Sequence, residues 1–126
     1  FLEILENENL DFTNSFRGLI EEVENSNELI SKTDTYKIWK NDWKKLFKNK
    51  SNKEEVCKTI TSNNPAFIMR NHLVEQIIQE LLIDKKYTLN KALLCMEKPF
   101  EELNQYQEMY VSPKKEEEVT KTFCGT

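Results

Sequence analysis

Apolar residues recur at helical spacing along nearly the whole chain. Phe12, Phe16, Leu19, Ile20 and Val23 stand at i, i+4, i+7, i+8 and i+11, one face of a helix that Asp11 or Thr13 can cap. Glu21, Glu22 and Glu24 fall to its outer face on this reading. The polar stretch ENSNELISKTD then interrupts the pattern, and a second helix is predicted from near Asp34. Its stripe is Trp39, Trp43, Leu46 and Phe47, with Lys37, Lys40, Lys44 and Lys48 projecting from the far side. Ser51 followed by Glu54 has the form of a capping box and opens a short helix holding Val56, Cys57 and Ile60.

Asn64–Pro65 reads as the clearest helix start, because asparagine is a favoured N-cap and proline suits the first helical position. The helix predicted from there runs through AFIMRNHLVEQIIQELLID, with Val74, Ile77, Ile78, Leu81 and Leu82 on one face. Thr88 is expected to cap a last helix carrying Leu89, Ala92, Leu93 and Met96, which Pro99 must stop. No alternating strand pattern and no internal repeat occurs, so the fold class is all-α, an irregular helical array. Residues 1–110 form the helical region, and residues 111–126 an extended, polar C-terminal tail that carries Cys124.

Composition narrows the chemistry. Of 126 residues, 38% are apolar and 32% charged, which allows one small domain with a thin core. Two glycines are too few for a phosphate-cradling loop, and no His-Arg-Asp or Asp-Phe-Gly triplet appears, so this stretch cannot bind ATP by kinase chemistry unaided. Three cysteines without a Cys-x-x-Cys pair point to a reducing compartment and not a secreted disulfide framework. A single histidine, His72, leaves no zinc site of the usual spacing, and inside an apolar helix it reads as structural. No apolar run reaches the roughly 20 residues of a membrane span. The chain begins at Phe1, so a processed protein or a fragment is expected, with any targeting segment upstream.

The net charge of −4 hides a basic middle, residues 36–58, with 8 basic and 3 acidic side chains between acidic flanks. Trp39 and Trp43 among lysines suggest base stacking with phosphate contacts, yet the tryptophans share the apolar stripe and the chain is acidic, so no nucleic-acid partner is expected. The 22 acids offer many accidental carboxylate pairs, none of which stands out. Arg70 and Asn71 are suited to structural hydrogen bonds with a neighbouring loop. Cys124, two residues from the end of a polar tail, is an accessible thiol open to oxidation or exchange and the redox candidate, although composition alone favours an inert cysteine.

Several of these residues resemble one family. Asn64-Pro65-Ala66-Phe67-Ile68-Met69-Arg70-Asn71 is similar to the NP-x-x-x-x-RN segment near the C-terminus of the SelO proteins, and Pro99-Phe100-Glu101-Glu102 to the PF-x-E element that follows there. Tyr110 and Pro113 match the next aromatic and proline, and Phe123-Cys124-Gly125-Thr126 resembles the family's terminus, where Cys or selenocysteine stands. Upstream, Asp11 to Arg17 resembles a DYTxFFR-like segment, and Trp39/Trp43 fall where a W-x-x-x-[WY/R] helix stands.

The resemblance implies the C-terminal helical part of a protein-kinase-like fold. It implies a protein adenylyltransferase that moves AMP from ATP to Ser, Thr or Tyr hydroxyls, with Mg2+ or Mn2+, and partners limited to the upstream catalytic core and protein substrates. It further implies a monomer, mitochondrial if eukaryotic and cytoplasmic if bacterial. The family's ATP-binding, metal-binding and catalytic positions lie upstream of the matched segment, so no catalytic, cofactor-binding or metal residue is carried over. Only the redox position transfers, onto Cys124, and the segment alone is expected to be inactive. The competing expectation is a stand-alone α-helical interaction module with no enzymatic role.

Overall fold

A computed structural model of the chain describes residues 1–24, 30–47 and 53–117. All regular structure among them is helical: α1 (Leu2–Asn7), α2 (Phe12–Glu24), α3 (Asp34–Lys45), α4 (Lys53–Asn63), α5 (Asn71–Leu82), α6 (Tyr87–Glu97), and the 3-10 segments Asn104–Tyr110 and Lys115–Glu117. None of these helices is long and apolar enough to cross a membrane. The chain divides into two compact units, Phe1–Ala66 and Phe67–Thr126.

In the first unit the Asp11 carboxylate accepts from the Asn14 N–H at 2.7 Å, so of the two cap candidates, Asp11 and Thr13, it is Asp11 that starts α2. Leu19 and Val23 of α2 meet Ile60 of α4 in the core, and Phe16, Ile20, Trp39, Trp43 and Phe47 pack against that centre. Thr33 caps α3 by accepting from the Tyr36 N–H. The Ser51 half of the predicted capping box lies outside the described residues. Helix α1 was not expected from the sequence; Ile4 and Leu5 are its buried pair. Glu8 ties its end to the entrance of α3, accepting from the Ser31 hydroxyl and, at 2.7 Å, from the Thr33 hydroxyl.

Three sequence readings are corrected in this unit. Glu22 does not sit on an outer face: it is 1% exposed, whereas Phe12 is largely exposed. Lys40 and Lys44 do not project from the far side of α3, because both turn inward to Glu22. Leu46 is exposed, and the buried head of the α3 stripe is Tyr36. The reason is rotational. Tyr36, Lys40, Trp43 and Phe47 fall at i, i+4, i+7 and i+11, so a stripe begun one turn earlier takes in Lys40 and leaves Leu46 at its edge.

The junction at Asn64–Pro65 is the largest correction. It does not begin a helix; α4 ends there and α5 begins only at Asn71. The Asn64 N–H and Nδ2 both donate back to the Ile60 carbonyl, at 3.0 and 2.8 Å. Arg17 adds Nη1 contacts to the Thr61 and Asn64 carbonyls, placing a cation at the C-terminal end of the α4 dipole. Pro65 disfavours helical geometry at the residue before it, so the same dipeptide that can open a helix here closes one.

In the second unit, the Phe67 N–H donates to the Pro99 carbonyl at 3.0 Å, and the Phe67 ring meets Tyr110 edge to face. Helices α5 and α6 pack through Leu73, Ile77, Ala92 and Cys95, all buried. The predicted α5 face is only partly used: Val74, Ile78, Leu81 and Leu82 stay exposed, as do Leu93 and Met96 of α6. Helix α6 does stop before Pro99, as predicted. Thr88, however, is not its N-cap. Its N–H and hydroxyl both donate to the Glu80 carboxylate, at 2.8 and 2.6 Å, clamping α6 to α5.

These bonds hold the Glu80 carboxyl below its ordinary range. A depressed carboxyl contributes stability above its unfolded value of about 4.3, lost as pH falls below it. A melting-temperature series from pH 6 to pH 3 should therefore decline, and Glu80→Gln should flatten the decline while lowering the pH 6 value. An unchanged slope would show that the clamp does not contribute. Between the helices, Asp84 takes the left-handed conformation (φ 55°), and the Lys85 N–H returns to the Glu80 carbonyl at 2.8 Å. Asp84→Val should cost about 1–2 kcal/mol in urea unfolding, whereas Asp84→Gly should be neutral or stabilising.

Candidate functional site

Two side-chain clusters stand out among the described residues, one in each unit. In the first, α2 carries Glu22 inward and α3 presents Tyr36, Lys40 and Lys44 to it. The Tyr36 hydroxyl donates to Glu22 Oε1 at 2.8 Å, while Lys40 Nζ lies 3.0 Å and Lys44 Nζ 3.9 Å from Oε2. Tyr36 is fully buried. Burial first, and then the Glu22 carboxylate, push its hydroxyl far above the ordinary tyrosine range. Burial also lowers the Lys44 ammonium, partly offset by Glu22. Every partner of the carboxylate here is a donor locked by its own helix, so the cluster fixes α2 against α3. It offers no unengaged nucleophile.

In the second unit a cleft of about 370 Å³ is lined by His72, Gln76, Thr88, Lys91, Glu108 and Met109, among others. His72 Nδ1 is buried there and has no hydrogen-bond partner among the described residues. Lys91 Nζ and Glu108 Oε1 pair at 2.7 Å across it, which raises the lysine and lowers the carboxyl. An imidazole can serve as a base only beside a group that gives up a proton. The hydroxyl of Thr88 is already donated to Glu80. The cleft thus places one imidazole beside the Lys91–Glu108 pair and a Thr88 hydroxyl that is already engaged.

The residues singled out in the sequence are dispersed. Trp39 and Trp43 stack at 5.6 Å within the packed stripe, where their faces contact rings of the chain itself. Cys57 is half-buried, and burial followed by Glu24 pushes its thiol up, away from the thiolate that reacts. Cys95 is fully buried, 3.6 Å from the Tyr110 hydroxyl. Arg70 precedes α5 in extended conformation and Asn71 opens the helix. Cys124 lies outside the described residues. Among those residues no group of three or more His, Cys, Asp or Glu side chains could hold a metal ion. Sequence reasoning missed Glu22 and Tyr36; the available signal was that Glu22 follows Leu19 by one turn, at the margin of the apolar stripe.

Comparison with known proteins supplies what the geometry does not. The chain is 33% identical to the protein nucleotidyltransferase YdiU of Maridesulfovibrio salexigens over 99% of its own length and 27% of that protein. It is 30% identical to the YdiU of Bacillus mycoides, over 99% of the chain and 26% of the relative. With the YdiU of a Ruegeria species it shares 29% identity over 92% of the chain and 24% of the relative. The chain thus spans about a quarter of the length of the curated relatives it matches. No protein-family model matches the chain. No solved structure matches it either.

Proposed function

We propose that this chain, whose similarity to the YdiU proteins is consistent with a C-terminal portion of a SelO-family protein, is the helical support of a protein nucleotidyltransferase. The single observation that carries this reading is the similarity at about 30% identity along 99% of the chain to proteins named protein nucleotidyltransferases. In the complete protein a Ser, Thr or Tyr hydroxyl of a target attacks the α-phosphorus of ATP. Pyrophosphate leaves, and the hydroxyl proton passes to a base of the catalytic portion. The kinase-like body, the ATP site and the Mg2+ or Mn2+ site belong to that portion. The described residues do not fit a metal site, and none is placed among them. Their contribution is mechanical: the Glu22 cluster and the Glu80–Thr88 clamp hold helices in register.

The test uses the longer polypeptide that joins this chain to a catalytic portion, incubated with a protein acceptor and ATP labelled at either the α- or the γ-phosphate. Transfer of the α-label alone is expected. Transfer of the γ-label, or of neither, overturns the reading. The 126-residue chain assayed alone should transfer nothing. A chain whose reading frame lacks any catalytic portion would favour the stand-alone interaction module.

Cys124 is the redox position in this reading. A peroxide would accept two electrons from Cys124 and an upstream cysteine, leaving a disulfide and reduced to water or an alcohol. Cys124→Ser in the longer protein should abolish the effect of oxidant on AMP transfer. An effect equal to the parent's would remove the assignment.

A further inference from the structure

The cleft between α5, α6 and the segment after α6 is built entirely from the second unit and has no part in nucleotide transfer as proposed above. Its volume, about 370 Å³, falls at the small end of the range for small-molecule sites. Both signs of charge meet there. Lys91 pairs with Glu108 at 2.7 Å while both side chains stay open to water, and exposed Lys114 and Glu117 bring a second cation and anion to the rim. The Lys91 ammonium gives one of its three hydrogens to Glu108, and the carboxylate keeps acceptor sites beyond the one it uses. Because the two groups touch, their remaining sites are neighbours. A ligand that answers both must also hold an anion and a cation side by side.

His72 stands on the first turn of α5 with its ring half-buried. Its Nδ1 is covered and faces no acceptor among the described residues, which makes it a poor seat for a proton. The neutral ring therefore carries its hydrogen on Nε2, which is its donor. Thr88 has given its hydroxyl hydrogen to Glu80 and presents only lone pairs. Leu73, Met109 and Val111 supply an apolar wall. The described lining holds no arginine and no Phe, Tyr or Trp, so it lacks the guanidinium fork and the stacking face that suit a nucleotide.

We propose that the cleft binds a free α-amino acid with an apolar side chain: its carboxylate on Lys91 and the His72 Nε2–H, its ammonium on Glu108, and its side chain against Leu73, Met109 and Val111. An α-amino acid carries its two charged groups on a single carbon, which matches the adjacent Lys91 and Glu108. The formal charges of the lining cancel, Lys91 and Lys114 against Glu108 and Glu117, and this suits a zwitterion better than a phosphate. Such binding is independent of nucleotide transfer, and its test needs no enzymatic activity.

The ligand to titrate is L-leucine, added to the 126-residue chain and followed by NMR. His72 is the chain's single histidine, so its ring C–H signal identifies itself. Leucine should shift that signal saturably, with half-saturation at about 1 mM or below. Isocaproate, which lacks the ammonium, and isoamylamine, which lacks the carboxylate, should each bind about tenfold or more weakly, since each forfeits one charged contact. Glu108→Gln should bring leucine down to the level of isocaproate, and Lys91→Met should weaken both. The comparison of leucine with its two halves needs no substitution, so it decides the matter where a variant does not fold. Where the 126-residue chain lacks a cooperative melt, equilibrium dialysis of labelled leucine against the longer polypeptide makes the same comparison. Absence of saturable leucine binding up to about 10 mM overturns the proposal. So does isocaproate binding as tightly as leucine, because the ammonium is then not read. Leucine binding unchanged in folded Glu108→Gln and Lys91→Met chains places it elsewhere on the surface and overturns the proposal as well.

Discussion

Replacing Glu22 with alanine is expected to cost about 3–5 kcal/mol, the range for removing one partner of a buried ion pair. The carboxylate is the shared acceptor of the Tyr36 hydroxyl and the Lys40 ammonium, and both lose it at once. Lys40 retains 15% side-chain exposure and can turn toward water, but the Tyr36 hydroxyl cannot, since its residue is fully buried. The unsatisfied hydroxyl then sets the minimum loss, about 1–3 kcal/mol. Against total stabilities of about 5–15 kcal/mol, the first unit would be left marginal. Urea unfolding followed by tryptophan fluorescence reports directly, because Trp39 and Trp43 sit on the same helix as Tyr36 and Lys40. A loss below 1 kcal/mol would show that the cluster is not a structural node.

The double variant Glu22→Leu with Tyr36→Phe separates the pair from packing. With the carboxylate and the hydroxyl both gone, the double variant should be less destabilised than the sum of the single ones. The same cluster sets an alkaline limit. The folded-state tyrosine value lies above the unfolded value of about 10, so its stabilisation is complete below pH 10 and lost as pH rises beyond it. In the Tyr36→Phe chain that part of the alkaline decline should be absent.

The largest effect in the second unit is expected at Phe67. Phe67→Ala should cost about 3–5 kcal/mol, the range for a buried phenylalanine truncated to a methyl group. Its ring is 3% exposed and stands edge to face with Tyr110, centroids 6.1 Å apart. Tyr110 in turn accepts from the Leu103 N–H at 2.8 Å and donates toward the Glu101 carbonyl, so the cavity would loosen the segment that follows α6. Phe67→Leu should cost less, about 1.5 kcal/mol or below, because most of the volume is kept. Circular dichroism in urea measures both, and equal costs for the two variants would show that ring shape, not volume, is what the site requires.

Phe67 also illustrates how far the sequence could be read. It belongs to the Asn64–Asn71 motif that carried the family resemblance, and that resemblance holds: the curated relatives match nearly the whole chain. Yet its local structure was misread. Asparagine followed by proline is compatible with a helix beginning or ending, and the choice depends on Arg17, 47 residues away, and on the Pro99 carbonyl. The start of α3 near Asp34, the choice of Asp11 between the two candidates for α2 and the stop before Pro99 agree with the structure, because there the deciding contacts lie within one turn.

What the sequence determined by itself is the all-helical class, the helices around Phe12–Val23, Asp34–Phe47 and Leu89–Met96, and the resemblance to the SelO proteins, since each follows from spacing or motif within a short stretch. What only the tertiary structure decided is which residues of each helix face inward. Glu22, Lys40 and Tyr36 are buried because a carboxylate, an ammonium and a hydroxyl can satisfy one another across α2 and α3. Val74, Ile78 and Leu82 are exposed because α6 covers only one side of α5. Burial depends on what stands opposite a residue, and that partner comes from elsewhere in the chain.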